Sequence, residues 1–532
     1  MSSIITIKET VDIAASFEDR WVQDSNTYLG IGRVTPWMNN VPPISNNSTD
    51  FINFVYDRLV ALVKITAADM RLVIPRVDWN SGTVYTAYDN GVDMFVTEAD
   101  IAQTGTITAT SGLTTLSGVG TTFATNFTAG NFIKFIDPAT DNIYIKEIIS
   151  VTNDTSLVVN SAFTSTVTTS NFYKYNNTYP YYGYPFYVRN TYDQIYKCLY
   201  NNKGAQSTVM PQISLAGDLP SNPWIETSDG YKWKYMYTIP SGLKEKFFTP
   251  QWMPVSSDGT VTAAAVNGRI DIVDILQGGS GYNSGVACTS AQILTVTGDG
   301  SGANITAVVD SSGTIIDTNI LNGGSGYTYA TITANPGVAG VGANLKPVIS
   351  PSGGHGSDNI DELGAKNVMV CVELPGNDGG VIPIGSSLST TPFTYYQVSI
   401  IQNPLLSATG EIASGSAYNT TTQILTGTLI SPYYFPIADI AYQGLTLDTA
   451  TFTGSIVTWD NINNIVYLNN IRGSFTPYSS FTSSLLGRTV TAFSLVKPEI
   501  ELYTGKLLYV QNRAPISRSI NQTEQIKIVI EI

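Results

Sequence analysis

The chain has 532 residues, 43% of them hydrophobic and only 13% charged, with a formal net charge of −14. That length spans about three or four domains, and the apolar content, with 31 Tyr, excludes a disordered chain. The acidic balance, with no Lys/Arg cluster, excludes the usual basic nucleic-acid binder.

Residues 4–24 carry Ile4, Val11, Ile13, Ala14, Phe17 and Trp21 at mixed helical spacing and predict an amphipathic helix. Ser48-Thr49-Asp50 reads as a cap. Phe51, Phe54, Val55, Arg58, Leu59, Leu62 and Val63 then continue at helical spacing, predicting a second helix that ends before Pro75. The segment VIPRVDW at 73–79 reads as a turn into a strand. Residues 99–175 switch to short alternating strands with Gly and Asn-Asp turns, the pattern of a small β-barrel. There Gly118 and Gly120 permit a tight bend and Phe123 plugs the core.

Residues 176–263 open on the aromatic NNTYPYYGYPF and contain the strand IYKCLYNN. DGYKWKYMYTIP at 229–240 then alternates: Tyr231, Trp233, Tyr235 and Tyr237 on one face, Lys232, Lys234, Met236 and Thr238 on the other. Residues 264–352 hold an internal repeat, ILQGGSGY at 275–282 and ILNGGSGY at 320–327, each followed by a glycine turn and a strand. Gly-Gly-Ser-Gly-Tyr reads as a positive-φ turn locked by a packed Tyr. Residues 406–495 form a third β-rich stretch. The C-terminus closes on a strand with Ile526, Ile528, Ile530 and Ile532 on one face. The fold class is therefore mainly β with minor α content: a multi-domain sandwich and barrel framework, a few helices, and inserted barrel and repeat modules. Framework parts at 1–98, 176–263, 353–405 and 496–532 alternate with modules at 99–175, 264–352 and 406–495.

Catalytic chemistry is hard to place. The chain has one His, His355, and three Cys, at 198, 288 and 371, with no CxxC. That excludes most His-based metal sites and reads the thiols as buried and reduced. No GxxxxGK[ST] loop, DxDxDG loop or GxSxG elbow occurs. Asp299 in GDGSG lacks the acidic partners of a β-roll calcium repeat. Asp358, Asp361 and Glu362 follow His355 closely; a converging metal site competes with a solvated loop or a helix start carrying acids at its positive end. No stretch approaches the ~20 apolar residues of a membrane helix, and the first residues lack a signal peptide's basic start and apolar run. The expectation is no enzyme, no cofactor, no metal, no nucleic acid and no membrane insertion. A carboxylate pair for glycoside cleavage cannot be located among 41 acids, so a glycan-binding or glycan-degrading module stands as the alternative.

Five blocks carry a resemblance: YLGIGRVTPW at 28–37, VIPRVDW at 73–79, DGYKWKYMYTIP at 229–240, QVSIIQNP at 397–404, and GKLLYVQNRAP at 505–515 running on to NQTE at 521–524. Their order and wording resemble the baseplate wedge protein of T-even-type contractile-tailed phages, the gene-8 product family. The chain is longer than that family's better-known member, which lacks the three β inserts and has more cysteines. The resemblance implies a largely β homodimer in each wedge of a virion's tail baseplate, assembled in the host cytoplasm, contacting other wedge proteins and acting on no substrate. Arg33, Trp37, Arg76, Trp79, Trp233 and Arg513 are the candidate framework or interface residues. Arg beside Pro or Trp either fixes a framework loop or reaches a neighbouring subunit.

Overall fold

The computed structural model describes residues 7–24, 26–91, 94–95, 101–129, 131–136, 138, 143–159, 162–163, 166–175, 186–213, 224–282, 292–334, 340–375, 381–383, 392–429, 433–519 and 522–531. The protein is mainly β and multi-domain, with several sheets, a closed barrel and short helices. It divides into two compact units, Met1–Asp12 with Val73–Lys366, and Ile13–Leu72 with Asn367–Ile532. The N-terminal framework part, 1–98, is thus shared between units.

In the second unit, an antiparallel sheet runs Ala417–Asn419, Leu59–Lys64, Thr27–Gly32, Phe393–Gln402, Lys506–Arg518. Thr27–Gly32 is buried along its whole length. A side chain at Gly30 would collide with Ser399 and touch Leu59, so glycine sets the close approach there. The helix expected from residue 49 is present as Thr49–Asp57, with Ser48 Oγ accepting from Phe51 N–H at 3.2 Å. It does not continue to Val63. Leu59–Lys64 is a strand of the sheet, because an apolar run without polar gaps buries on two faces as readily as on one. The N-terminal helix spans Ile7–Asp24. The C-terminal strand Glu524–Glu531 pairs antiparallel with Asn367–Leu374.

Each of the three interrupting stretches holds a sheet and core of its own, but the third, 406–495, begins in the sheet of Thr27–Gly32, through Ala417–Asn419. Residues 422–496 form the closed barrel: Thr422–Thr426, Ile465–Gly473, Phe452–Asp460, Ile440–Gln443, Ser479–Ser483, Thr489–Val496, around Ile424, Phe435, Phe452, Trp459 and Phe481. The stretch read as a barrel, 99–175, holds eight antiparallel strands in which 101–109 and 167–175 pair along their length, Ala109 opposite Val167 and Ala102 opposite Tyr173, so that the first strands meet the last and the ring closes. Phe123 is fully buried there, packed edge-on to Phe127 and Phe172. The repeat module is a six-stranded sheet ordered Ile270–Ser280, Val341–Ile349, Ala330–Ala334, Gln292–Gly298, Ser301–Val309, Ile315–Ser325.

In every module the entering and leaving chains are hydrogen-bonded neighbours: Ala102 opposite Tyr173, Ile270 opposite Ile349, Gln423 opposite Val496. Adjacent antiparallel partners lie about 5 Å apart, so each module leaves its host strand almost where it entered.

In the first unit, a four-stranded sheet runs Tyr187–Arg189, Gln194–Asn201, Tyr231–Thr238, Ile225–Glu226. One face holds the aromatic core of Tyr85, Tyr196, Tyr231, Trp233 and Tyr235 with Cys198 and Val261. The opposite face is buried too, and it carries lysines.

Candidate functional site

Lys197 and Lys234 are register partners on neighbouring antiparallel strands, and both side chains are buried. Like charges directly opposite each other destabilise a ladder unless anions meet them. Here Glu362 and Asp271 do. Glu362 sits on the short helix Asn359–Leu363. Asp358 caps that helix, accepting from Ile360 N–H at 2.9 Å and Asp361 N–H at 3.2 Å, and Gly364 ends it at φ 66°. The acids after His355 therefore open a helix, as one of the two readings had it, but Glu362 turns inward. Asp271 comes from the strand Ile270–Ser280. His355 lies in a turn whose glycines 353, 354 and 356 all have φ between 84° and 94°. Side chains at 354 and 356 would strike Val266 and Val261, so the turn packs flat and delivers the imidazole to the interior.

The cluster is compact. Lys197 Nζ lies 3.0 Å from Glu362 Oε2 and 3.3 Å from His355 Nδ1. His355 Nδ1 is 3.1 Å from the same Oε2, and Gly356 N–H donates to Glu362 Oε1 at 2.5 Å. On the other side of the ring, His355 Nε2 is 3.8 Å from Asp271 Oδ2, and Asp271 Oδ1 is 3.2 Å from Arg269 Nε. The Nε2, Oδ1 and Arg269 Nε atoms are buried without an aligned hydrogen bond. The Tyr88 ring covers Lys197 Nζ at 3.9 Å and meets the imidazole edge-on.

Burial and charge divide the protons. Burial, helped by the Lys197 charge, pushes His355 down to about 4, so its ring is neutral. Burial pushes Asp271 up to about 6 against the pull of Arg269, Lys234 and Lys197. Burial also raises Glu362, but the Lys197 charge and hydrogen bonds from His355 and Lys197 prevail and hold it at about 2. Burial lowers Lys197 and Lys234, each partly restored by the facing carboxylates. Lys197 and Glu362 also form the floor of a cavity of about 330 Å³ walled by Tyr88, Phe95, Phe186 and Asp361. Among the described residues, no three His, Cys, Asp or Glu side chains are placed to hold a metal ion. His355 and Glu362 were singled out together in the sequence, but Lys197, Lys234 and Asp271 were missed. The signal was a lysine in the middle of two apolar strands, IYKCLY and YKWKYMY.

The residues singled out from sequence fall into three places. Arg33, at φ 52°, lays its guanidinium 3.8 Å over the Trp37 ring and donates to Pro36 O at 2.9 Å. Trp37 Nε1–H donates to Arg513 O at 2.9 Å, and its ring stacks on Phe54. Arg33, Trp37 and the Arg513 backbone thus form one clamp in the second unit. Beside it Met38 and Ile44 are 86% and 93% exposed, with Val41 between them. In the first unit, Arg76 grips Asp78 through Nε and Nη2, Asp78 also accepts from Arg189 Nη1 at 2.7 Å, and both guanidinium groups cover Phe248. Trp79 Nε1–H donates to Ser207 Oγ at 3.0 Å. Trp233 is completely buried against Tyr231 and Tyr85. Asp299 accepts from the backbone N–H groups of Thr328 and Tyr329, on a different loop of the repeat module. Cys198 is a buried free thiol and Cys371 is buried; Cys288 and the NNTYPYYGYP segment lie outside the described residues. No model of a known protein family matches the chain, and no curated protein matches it.

Proposed function

We propose that the chain is a structural subunit of a contractile phage tail baseplate wedge, which dimerises and links neighbouring wedge proteins in the virion. One observation carries the reading. Three of the motif blocks, separated by hundreds of residues, lie as adjacent strands of one sheet: Tyr28 opposite Ile401, and Val398 opposite Gln511. The Arg33–Trp37–Arg513 clamp ties two of these blocks together. Three of the five blocks that carry the resemblance therefore build one sheet, while 73–79 and 229–240 lie in the first unit. Met38, Val41 and Ile44 give the clamp an exposed apolar surface of the kind that assembly covers.

Light scattering on the purified chain at micromolar concentration, with cryo-electron microscopy of tails, tests the reading. A dimer burying roughly 2,000 Å² or more in total, found in the wedge, is expected. A monomer absent from tails, or one that cleaves envelope polysaccharide, overturns it. Replacing Met38, Val41 and Ile44 by Glu is expected to leave the melting temperature within a few degrees and to lower incorporation into assembled wedges.

A further inference from the structure

We propose that the folded chain joins Lys197 to Glu362 by an amide bond between Nζ and Cδ. The inference rests on the arrangement around the Lys197–Glu362 pair and is independent of the baseplate reading. A nucleophile, an acyl group, a proton shuttle and an oxyanion donor all meet there.

Lys197 Nζ is in contact with the Glu362 carboxylate at 3.0 Å, and both side chains are almost completely shielded from water. A buried ion pair carries a large desolvation cost, and inside a protein the neutral amine and carboxylic acid become the competing form. One proton passing from the ammonium to Oε2 creates that form. The Nζ lone pair then adds to Cδ. A C–N bond forms, and the carbonyl electrons move onto Oε1, where Gly356 N–H already donates at 2.5 Å. His355 Nδ1 sits within hydrogen-bond reach of both Nζ and Oε2, at 3.3 and 3.1 Å. It takes a proton from the nitrogen and delivers one to Oε2. The Cδ–Oε2 bond breaks, and Oε2 leaves as water. Ammonium and carboxylate become amide and one water, with nothing oxidised or reduced. Asp271 Oδ2 faces Nε2 on the ring's other side at 3.8 Å, a charge beyond hydrogen-bond reach. The cavity over Lys197 and Glu362 gives the water a way out.

The bond would close a loop between residues 165 apart in sequence, fixing the helix Asn359–Leu363 to the strand Gln194–Asn201. Such a staple restricts the unfolded chain as a disulfide does.

Denaturing intact-mass spectrometry tests the proposal. The purified protein is expected to weigh one water, about 18 Da, less than its sequence. Peptide mapping should return the Lys197 peptide attached to the Glu362 peptide. K197M, which keeps the apolar stem, should restore the full mass. H355Q, with both reacting groups intact, should accumulate the lighter species far more slowly. A folded wild type at full mass overturns the proposal and leaves an ion pair. So does a water loss that survives K197M, or a linkage mapped elsewhere. If K197M fails to fold, the wild-type peptide map decides alone.

Discussion

At His355 and Asp271 burial acts in opposite directions, and that fixes how the cluster responds to acid. His355 falls from 6.5 unfolded to about 4 folded. Between those values the folded chain binds fewer protons than the unfolded one, so stability is lost as pH falls from 6.5 towards 4. Asp271 rises from 3.8 to about 6, so over that window the folded chain binds more protons, and stability is gained as pH falls. Across roughly pH 4 to 6 the two effects oppose each other. D271N removes the gain and keeps the loss. Its urea midpoint, measured at pH 6.5 and 4.5, is expected to drop further than the wild type's, and that of H355Q to drop less. Parallel profiles for all three proteins would show that neither group titrates as its burial requires. Glu362 adds a separate loss as pH falls from 4.5 towards 2, present only while it remains a free carboxylate. The Trp37 clamp gives a second residue-scale expectation. Trp37→Phe keeps the ring over Phe54 but leaves Arg513 O without its donor, costing about 1 kcal/mol by thermal or urea melting.

The repeat module shows most clearly what local sequence could and could not convey. The reading of GGSGY as positive-φ glycines locked by a tyrosine matches the backbone: Gly279 and Gly324 have φ 65° and 67°, and Tyr282 and Tyr327 are buried. The glycines do not make a turn, however. Gly278–Ser280 and Gly323–Ser325 close long strands, Ile270–Ser280 and Ile315–Ser325, each broken by two register shifts. The extra residue at the shift nearer the glycines is a leucine, Leu276 or Leu321, and both point outward. Nor could the pairing be read locally. The second GGSGY pairs with the nearby GSGAN, while the first crosses to the distant GVGAN, Gly278 opposite Ala343. Register over some 60 residues is a tertiary choice. Tyr282 packs on Gly340, and Tyr327 on Gly300. Gly300→Ala and Gly340→Ala should therefore each push a tyrosine out of its slot and cost about 1–3 kcal/mol. Gly342, at φ 83° with open space around it, should lose only the smaller backbone cost of about 1 kcal/mol as Ala. Thermal melts, with hydrogen exchange in Ile270–Ser280, separate the two kinds of effect. Equal costs at 340 and 342 would show that the ring contact contributes nothing. Adding Tyr282→Ala to Gly340→Ala should cost less than the sum of the single changes.

For the molecule as a whole, composition and turn spacing were enough to identify a mainly β, multi-domain chain. The grouping of framework segments into two discontinuous units was not legible, because it is set by strand partners far apart in sequence, such as Gln397 and Asn512. Lys197 was missed for a related reason: Lys197, His355 and Glu362 converge only after three separate elements fold. The modules permit a decisive experiment at this scale. In the stretch 101–175, Ile107, Leu116, Phe123, Phe135, Leu157 and Phe172 pack with one another in a core contributed by the module itself. The chain leaves at Tyr173 directly opposite Ala102, where it entered. A two- or three-residue Gly/Ser linker bridges about 5 Å without strain. Removing 103–172 in this way should exchange one self-sufficient core for a turn. The shortened chain is expected to stay soluble, to keep whatever oligomeric state the full chain has, and to retain the near-ultraviolet circular dichroism of the Tyr85–Tyr231–Trp233 cluster. A changed oligomeric state or an unfolded product would mean that the stretch belongs to the scaffold, and the division into framework and insert would fail with it.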